Sequence, residues 1–262
     1  MDNRAYINKA KLSLLKFFEE NNSNVYHSRQ LEVYFEGQYY HWITNSALRE
    51  LREENKIKSE RHKSSSCGFE LVIYWHKSYR YYKRSIKALI KLVESYSTNE
   101  MARYLGWQGE MLVGDAFAAM GFVRLGRESN EYDGVKWTET KHNMDFIFQK
   151  DGLTYGVEVK NTLPYIDKEE FDIKIRLCKH LGIIPVFAVR MMPTAWTKEL
   201  IQEGGFALIL KYQLYHPIQR DVVDNIKAHI NLPVDTPRVL MEGTLQRFLS
   251  WHNKQVSKHQ SA

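Results

Sequence analysis

Cysteine is scarce in this 262-residue chain: Cys67 and Cys178 are the only two, and they lie far apart. They form no C-x-x-C pair, so neither a zinc ribbon nor a dithiol redox site is available, and a reducing, cytoplasmic setting is the expectation. The ten histidines are equally scattered, with no H-x-x-x-H pair to suggest a zinc hydrolase. No Walker A loop and no G-x-G-x-x-G segment occurs, which leaves ATP and dinucleotide chemistry without support. No run of roughly eighteen apolar residues is present, so no membrane span or membrane partner is expected. The opening residues MDNRAYINKAKL lack the apolar centre of a secretion signal. Internal repeats are also absent, which argues against a solenoid.

What the chain does have is 44% hydrophobic residues, enough for one large core or two modest ones. Its net charge of +6 is unevenly spread. Residues 1–96 hold 17 Lys and Arg against 11 Asp and Glu, whereas residues 97–262 hold 20 of each. A basic N-terminal third attracts polyanions and speeds their encounter; a solvated face with no partner is the plainer alternative.

Residues 7–20 place Leu12, Leu15 and Phe18 at helical spacing, flanked by Leu14 and Phe17. Ser28 can cap a helix over 29–35 that Gly37 stops, and Thr44 can cap a third helix reaching Glu54, with Ala47, Leu48 and Leu51 inward. A strand at 57–60, a turn at 64–68 and a β-rich run at 69–75 follow. Three helices and a hairpin in this order resemble a winged helix-turn-helix over about residues 5–76. The resemblance implies that the third helix presents Asn45, Ser46, Arg49 and Arg52 to the major groove of DNA. It also implies a wing carrying Lys58, Arg61, His62 and Lys63. Glu50, Glu53 and Glu54 on the same helix would repel phosphate, so docking of a protein partner stays open. Residues 78–96 read as one helix, basic and tyrosine-rich in its first half, with the apolar stripe Ile86, Leu89, Ile90 and Val93. Its tyrosines could stack on bases, although packing is their more ordinary use.

From about residue 104 helices and strands alternate, which predicts a mixed α/β domain. Residues 110–120 are almost wholly apolar and read as a buried helix ended by Gly121. A strand at 122–125 and a polar loop at 126–142 come next. The strands 143–149 and 153–160 are joined across Asp151-Gly152, a strong hairpin signal. Alternation puts Glu158 and Lys160 on one face of their strand and Val157 and Val159 on the other; in the neighbouring strand Asp145 lies opposite the face of Met144, Phe146 and Phe148. Two carboxylates facing each other at an apolar sheet repel unless a cation lies between them, and oxygen donors favour Mg²⁺ or Mn²⁺. Glu110 shares a helical face with Val113, Gly114 and Phe117, where an unpaired carboxylate is costly.

This constellation resembles the PD-(D/E)XK nuclease superfamily over roughly residues 104–212. Glu110 matches the first-helix glutamate, Asp145 the metal-binding aspartate, and E-V-K the (D/E)-x-K element at Glu158 and Lys160. Met144 stands where the superfamily often has proline. The resemblance implies a restriction-endonuclease-like mixed sheet flanked by helices, preceded by the small winged-helix domain. It also implies a Mg²⁺- or Mn²⁺-dependent endonuclease acting on DNA as a homodimer. Asp145, Glu158 and the Val159 carbonyl would hold the metal, Glu110 would complete its shell, and Lys160 would orient or help deprotonate water, or steady the charge of the pentacovalent state. His142 could reach the phosphate. Lys168, Lys174, Arg176 and Lys179 could grip it or form a solvated face. The expected division is a winged-helix domain at 1–77, a connecting helix at 78–103, the nuclease domain at 104–215 and a helical extension at 216–262. A non-enzymatic DNA-binding regulator, or an assembly protein on the same scaffold, is the alternative.

Overall fold

Helix α1 (Asn3–Glu20) buries Ala10, Leu14 and Phe18, one residue from each successive turn. Leu12, expected on the inner face, is 70% exposed, because two residues along a helix is about 200° of rotation from Leu14. Strand β1 (Val25–His27) precedes α2 (Ser28–Phe35), whose first turn is capped by His27 rather than Ser28: the His27 ring accepts the Gln30 N–H at 3.3 Å. Helix α3 (His41–Glu53) begins before Thr44, the expected cap, which is buried within it. Strands β2 (Ile57–Lys63) and β3 (Glu70–His76) then pair antiparallel, and β1 adds to β3 to give the order β1-β3-β2. Leu31, Phe35, Ile43, Leu48, Ile57 and Tyr74 close a core with the α1 stripe. Helix α4 (Tyr82–Tyr96) buries Ile86, Leu89 and Val93, and Tyr82 stacks on Trp75 at 4.6 Å between centroids. This computed structural model describes residues 3–64 and 70–260; Cys67 and most of the turn expected at 64–68 lie outside them.

The second half opens with α5 (Asn99–Ala119), which starts well before residue 110, followed by β4 (Val123–Ser129). The segment expected as a loop carries a small ribbon, β5 (Glu131–Tyr132) with β6 (Val135–Lys136). Strands β7 (Met144–Lys150) and β8 (Leu153–Lys160) form the hairpin, with positive φ at both Asp151 (49°) and Gly152 (78°), as a tight primed turn requires. After α6 (Lys168–His180) come β9 (Ile184–Val189), α7 (Thr194–Gln202) and β10 (Phe206–Ile209). The sheet order is β10-β9-β8-β7-β4: β8, β9 and β10 run parallel, and β7 is antiparallel to both β8 and β4. It is a mixed five-stranded sheet flanked by helices.

The chain ends with β11 (Gln213–Leu214), α8 (Arg220–Ile230), β12 (Val234–Asp235) paired with β11, and α9 (Glu242–Gln260). Two compact units result, Met1–Ala102 with Asp221–Leu232, and Arg103–Arg220 with Pro233–Ala262. Residues 216–262 are therefore not one extension. Ile230 in α8 accepts a hydrogen bond from Gln30 within the first unit, whereas α9 seats Phe248 in the core of the second beside Phe117 and Phe122. His252 of α9 ties that core down further, bonding Tyr155 Oη at 2.7 Å and Asp151 at 3.0 Å. Among the described residues no helix is long and apolar enough to cross a membrane.

Candidate active site

The hairpin brings two of the candidate carboxylates into register. Phe146 pairs with Val157, so Asp145 stands opposite Glu158 where β7 begins and β8 ends. The Asp145 carboxylate accepts the Val159 N–H at 2.6 Å. In a strand the N–H and C=O of one residue point to the same side, so the Val159 carbonyl is turned toward β7 as well. Just beyond Lys160, Asn161 is buried and fixes this strand end: its amide donates to the Leu105 and Leu214 carbonyls, both at 2.7 Å, and its oxygen accepts the Leu214 N–H. Alternation fails at the first residue of β7. Met144 packs on the α6 side of the sheet against Cys178, whereas Phe146 and Phe148 pack with Phe117 on the other side.

Charge is organised around Glu158, which is only 1% exposed. Its Oε2 accepts from the buried Lys174 ammonium at 2.5 Å, and its Oε1 lies 3.3 Å from Lys160 Nζ. Lys174 also donates to the Asn143 carbonyl. It is therefore a core cation and neither a phosphate grip nor part of a solvated face. Lys160 reaches on to Glu170 in the first turn of α6, at 2.7 Å. Burial by itself would lower the Lys160 pKa; Glu158 and Glu170 outweigh it and hold the group above its ordinary value, so it is an ammonium at neutral pH. Of the roles expected for it, that suits orientation and charge stabilisation better than deprotonation. Burial first, then the charge of Glu158, pushes Asp145 up to about 7; the Val159 N–H and Lys174 oppose this, and Glu110 adds to it. Cys178 is kept a thiol, because burial and then Glu158 push its pKa up.

Glu110 differs from the expectation of a lone buried carboxylate. It is partly exposed and accepts from Arg127 of β4 at 2.9 Å. Both residues line a cavity of about 370 Å³ together with Trp107, Arg124, Phe146 and Phe148. Among the described residues one carboxylate oxygen of Asp145 and one of Glu110 accept no hydrogen bond, and the side chains beside them that could ligate a cation would do so through oxygen. These residues thus fit a hard divalent ion in kind, with Lys174 as its competitor for Glu158. Among the described residues no three acidic, histidine or cysteine side chains converge into a ready cage. Glu170 and Arg127 are members of the cluster that the sequence did not give away, and Lys174 enters it in a different role from the one expected.

On α3 the expected contact residues are partly engaged with the protein itself. Asn45 donates to the buried Glu32 at 2.6 Å, Ser46 lies 3.5 Å from Arg49, and Arg52 lies 3.5 Å from Glu53. On β2, Lys58 bonds Asn55, Arg61 pairs with Glu70, His62 approaches Glu94, and Lys63 is exposed. Trp42, one turn before Ser46, is 47% exposed and extends this face. Of the other candidates, His142 is bonded to Thr140, Lys168 to Asp172 and Glu199, and Arg176 and Lys179 stand near Glu139 and Glu203. No family model, curated protein or solved structure matches this chain.

Proposed function

We propose that this protein is a Mg²⁺-dependent DNA endonuclease with a restriction-endonuclease-like catalytic unit and a winged-helix unit that docks on DNA. The observation that carries this is the pairing of Asp145 opposite Glu158, with Lys160 two residues on and Glu110 close enough to raise the Asp145 pKa. A buried aspartate whose charge is opposed by a neighbouring carboxylate is a site that gains from a cation. Asp145, Glu158 and the Val159 carbonyl would hold the ion and Glu110 would complete the shell. When bound, it would supply a polarised phosphate and a water of lowered pKa. Lys160, as an ammonium, would donate to the scissile phosphate or to the attacking water and offset the charge that builds there. Asn161 would keep the end of β8 in place. The order of α1, α2 and α3 before the β2–β3 hairpin supports the docking role of the first unit, with Trp42, Ser46 and Arg49 as its outward face.

One observation favours a second reading, a non-enzymatic DNA-binding scaffold: Lys174 already neutralises Glu158. Supercoiled plasmid, linear duplex, branched DNA and RNA incubated with Mg²⁺, Mn²⁺ or EDTA separate the two. Metal-dependent nicking that is lost in Asp145→Ala and in Lys160→Ala is the expected result. Nicking that survives both substitutions would remove the site, and absence of cleavage on every substrate would leave the scaffold.

A further inference from the structure

We propose that Lys83, Lys87 and Lys91 of α4 form a seat for the phosphodiester backbone of duplex DNA, distinct from the α3 face. The inference rests on the nucleic-acid reading above and locates its electrostatics. Residues 1–76 hold 11 basic and 10 acidic residues, so the helices and wing expected to contact DNA are close to neutral. The next 17 residues hold Lys77, Arg80, Lys83, Arg84, Lys87 and Lys91 and no acidic residue at all. That local excess equals the net charge of the entire chain.

The three lysines recur every four residues, so they share one side of the helix and climb about 6 Å per step. All three are exposed, and among the described residues no ion pair engages them. They line a groove of about 540 Å³ between α4 and β2, together with His62, Ile86 and Ile90. Glu60 and Glu94 line it too, but Glu94 is engaged by Ser64 at 2.9 Å and by His62 at 3.5 Å.

The chemistry of the groove selects its occupant. A helix that lies on a membrane needs an exposed apolar face, and the stripe Ile86, Leu89 and Val93 is buried. A protein partner is held by apolar or aromatic anchors that lose their water; no Phe, Tyr or Trp lines this groove, and of its two isoleucines Ile86 is already buried. A row of unpaired ammonium groups matches a polyanion bound mainly through release of its counterions.

The test is the salt dependence of duplex binding by the full chain in EDTA. A fluorescent duplex is titrated with wild type, with Lys83→Ala/Lys87→Ala/Lys91→Ala and with the corresponding triple arginine variant. A charge-matched control, Lys198→Ala/Lys254→Ala/Lys258→Ala, changes exposed lysines of the other unit. At about 0.9 counterion per phosphate contact, the alanine triple should flatten the slope of log affinity against log salt by about 2.7. Between about 50 and 200 mM salt its affinity should then fall about 40-fold less than that of wild type, while the arginine triple keeps the wild-type slope. An unchanged slope in the alanine triple overturns the proposal. So does an equal flattening in the control, or displacement of the duplex by anionic vesicles or an acidic peptide as readily as by unlabelled duplex. If the row fails while wild type still nicks plasmid, the nuclease reading stands alone; if the row holds and no substrate is cut, the seat stands without the nuclease.

Discussion

Replacing Asp145 by Asn should stabilise the metal-free protein above neutral pH and leave its stability unchanged near pH 4. In the unfolded chain Asp145 ionises near its ordinary value of 3.8, whereas in the folded protein burial and Glu158 delay ionisation to about 7. Between those two values the native state holds a proton that the unfolded state has lost, so stability falls as pH rises through this window. At about 1.4 kcal/mol per tenfold change, the full cost above pH 7 is about 4 kcal/mol. Asn carries no charge to be opposed by Glu158, and its carbonyl oxygen can still accept the Val159 N–H. Urea unfolding of both proteins in EDTA, repeated from pH 4 to pH 8, isolates the effect, because every other titrating group is common to the two. The wild-type curve should drop away from that of the variant mainly between pH 5 and 7, and added Mg²⁺ should narrow the gap at pH 8. A difference that stays flat across the range would show that the Asp145 carboxylate is not opposed in the way its burial beside Glu158 implies.

Two further outcomes follow from the same unit. Lys174→Met leaves Glu158 buried without its 2.5 Å partner and should cost about 3–5 kcal/mol, with Glu158→Leu added to it restoring most of the loss in urea unfolding. Gly156→Ala should cost about 1–3 kcal/mol, because its new methyl would lie 2.7 Å from Cys178 Sγ and 2.9 Å from Ile183 Cδ1; thermal melting checks this, and a neutral result would mean that α6 can retreat from the sheet.

The hairpin and the E-V-K triplet could be read from the chain because each is local: a primed turn needs Asp-Gly, and strand alternation fixes which side chains share a face. The start of α5 could not. Gly109 resembles a boundary, yet it is helical, and a side chain there would meet Asn161 Cβ at 2.6 Å. Long-range packing, not helix propensity, demands that glycine. Strand β4 is expected only as far as Leu125; its continuation to Ser129 is mostly exposed and polar, so no apolar rhythm betrays it. Lys174 did leave a trace. It sits with Phe171, Ile175 and Cys178 on the buried stripe of α6, where a lysine is misplaced unless a carboxylate waits for it. Its partner, Glu158, is 16 residues away, which no helical or strand period connects. The basic row on α4 was visible too, as a helix basic in its first half, although the charge of residues 1–96 as a whole hides that residues 1–76 are balanced.

The alternation of the two units along the chain has a consequence for synthesis. Lys160, the last of the four candidate catalytic residues, leaves the ribosome 88 positions before Phe248, which fills the centre of the core around them. At about 5–20 residues per second that interval is roughly 4–18 s. During it the nascent polypeptide holds all four candidate side chains but lacks Phe248 and the rest of α9. The first unit also waits, for Ile226 and Ile230. Each unit is built from two separate stretches of chain, so neither core is complete until α8, and then α9, has been made.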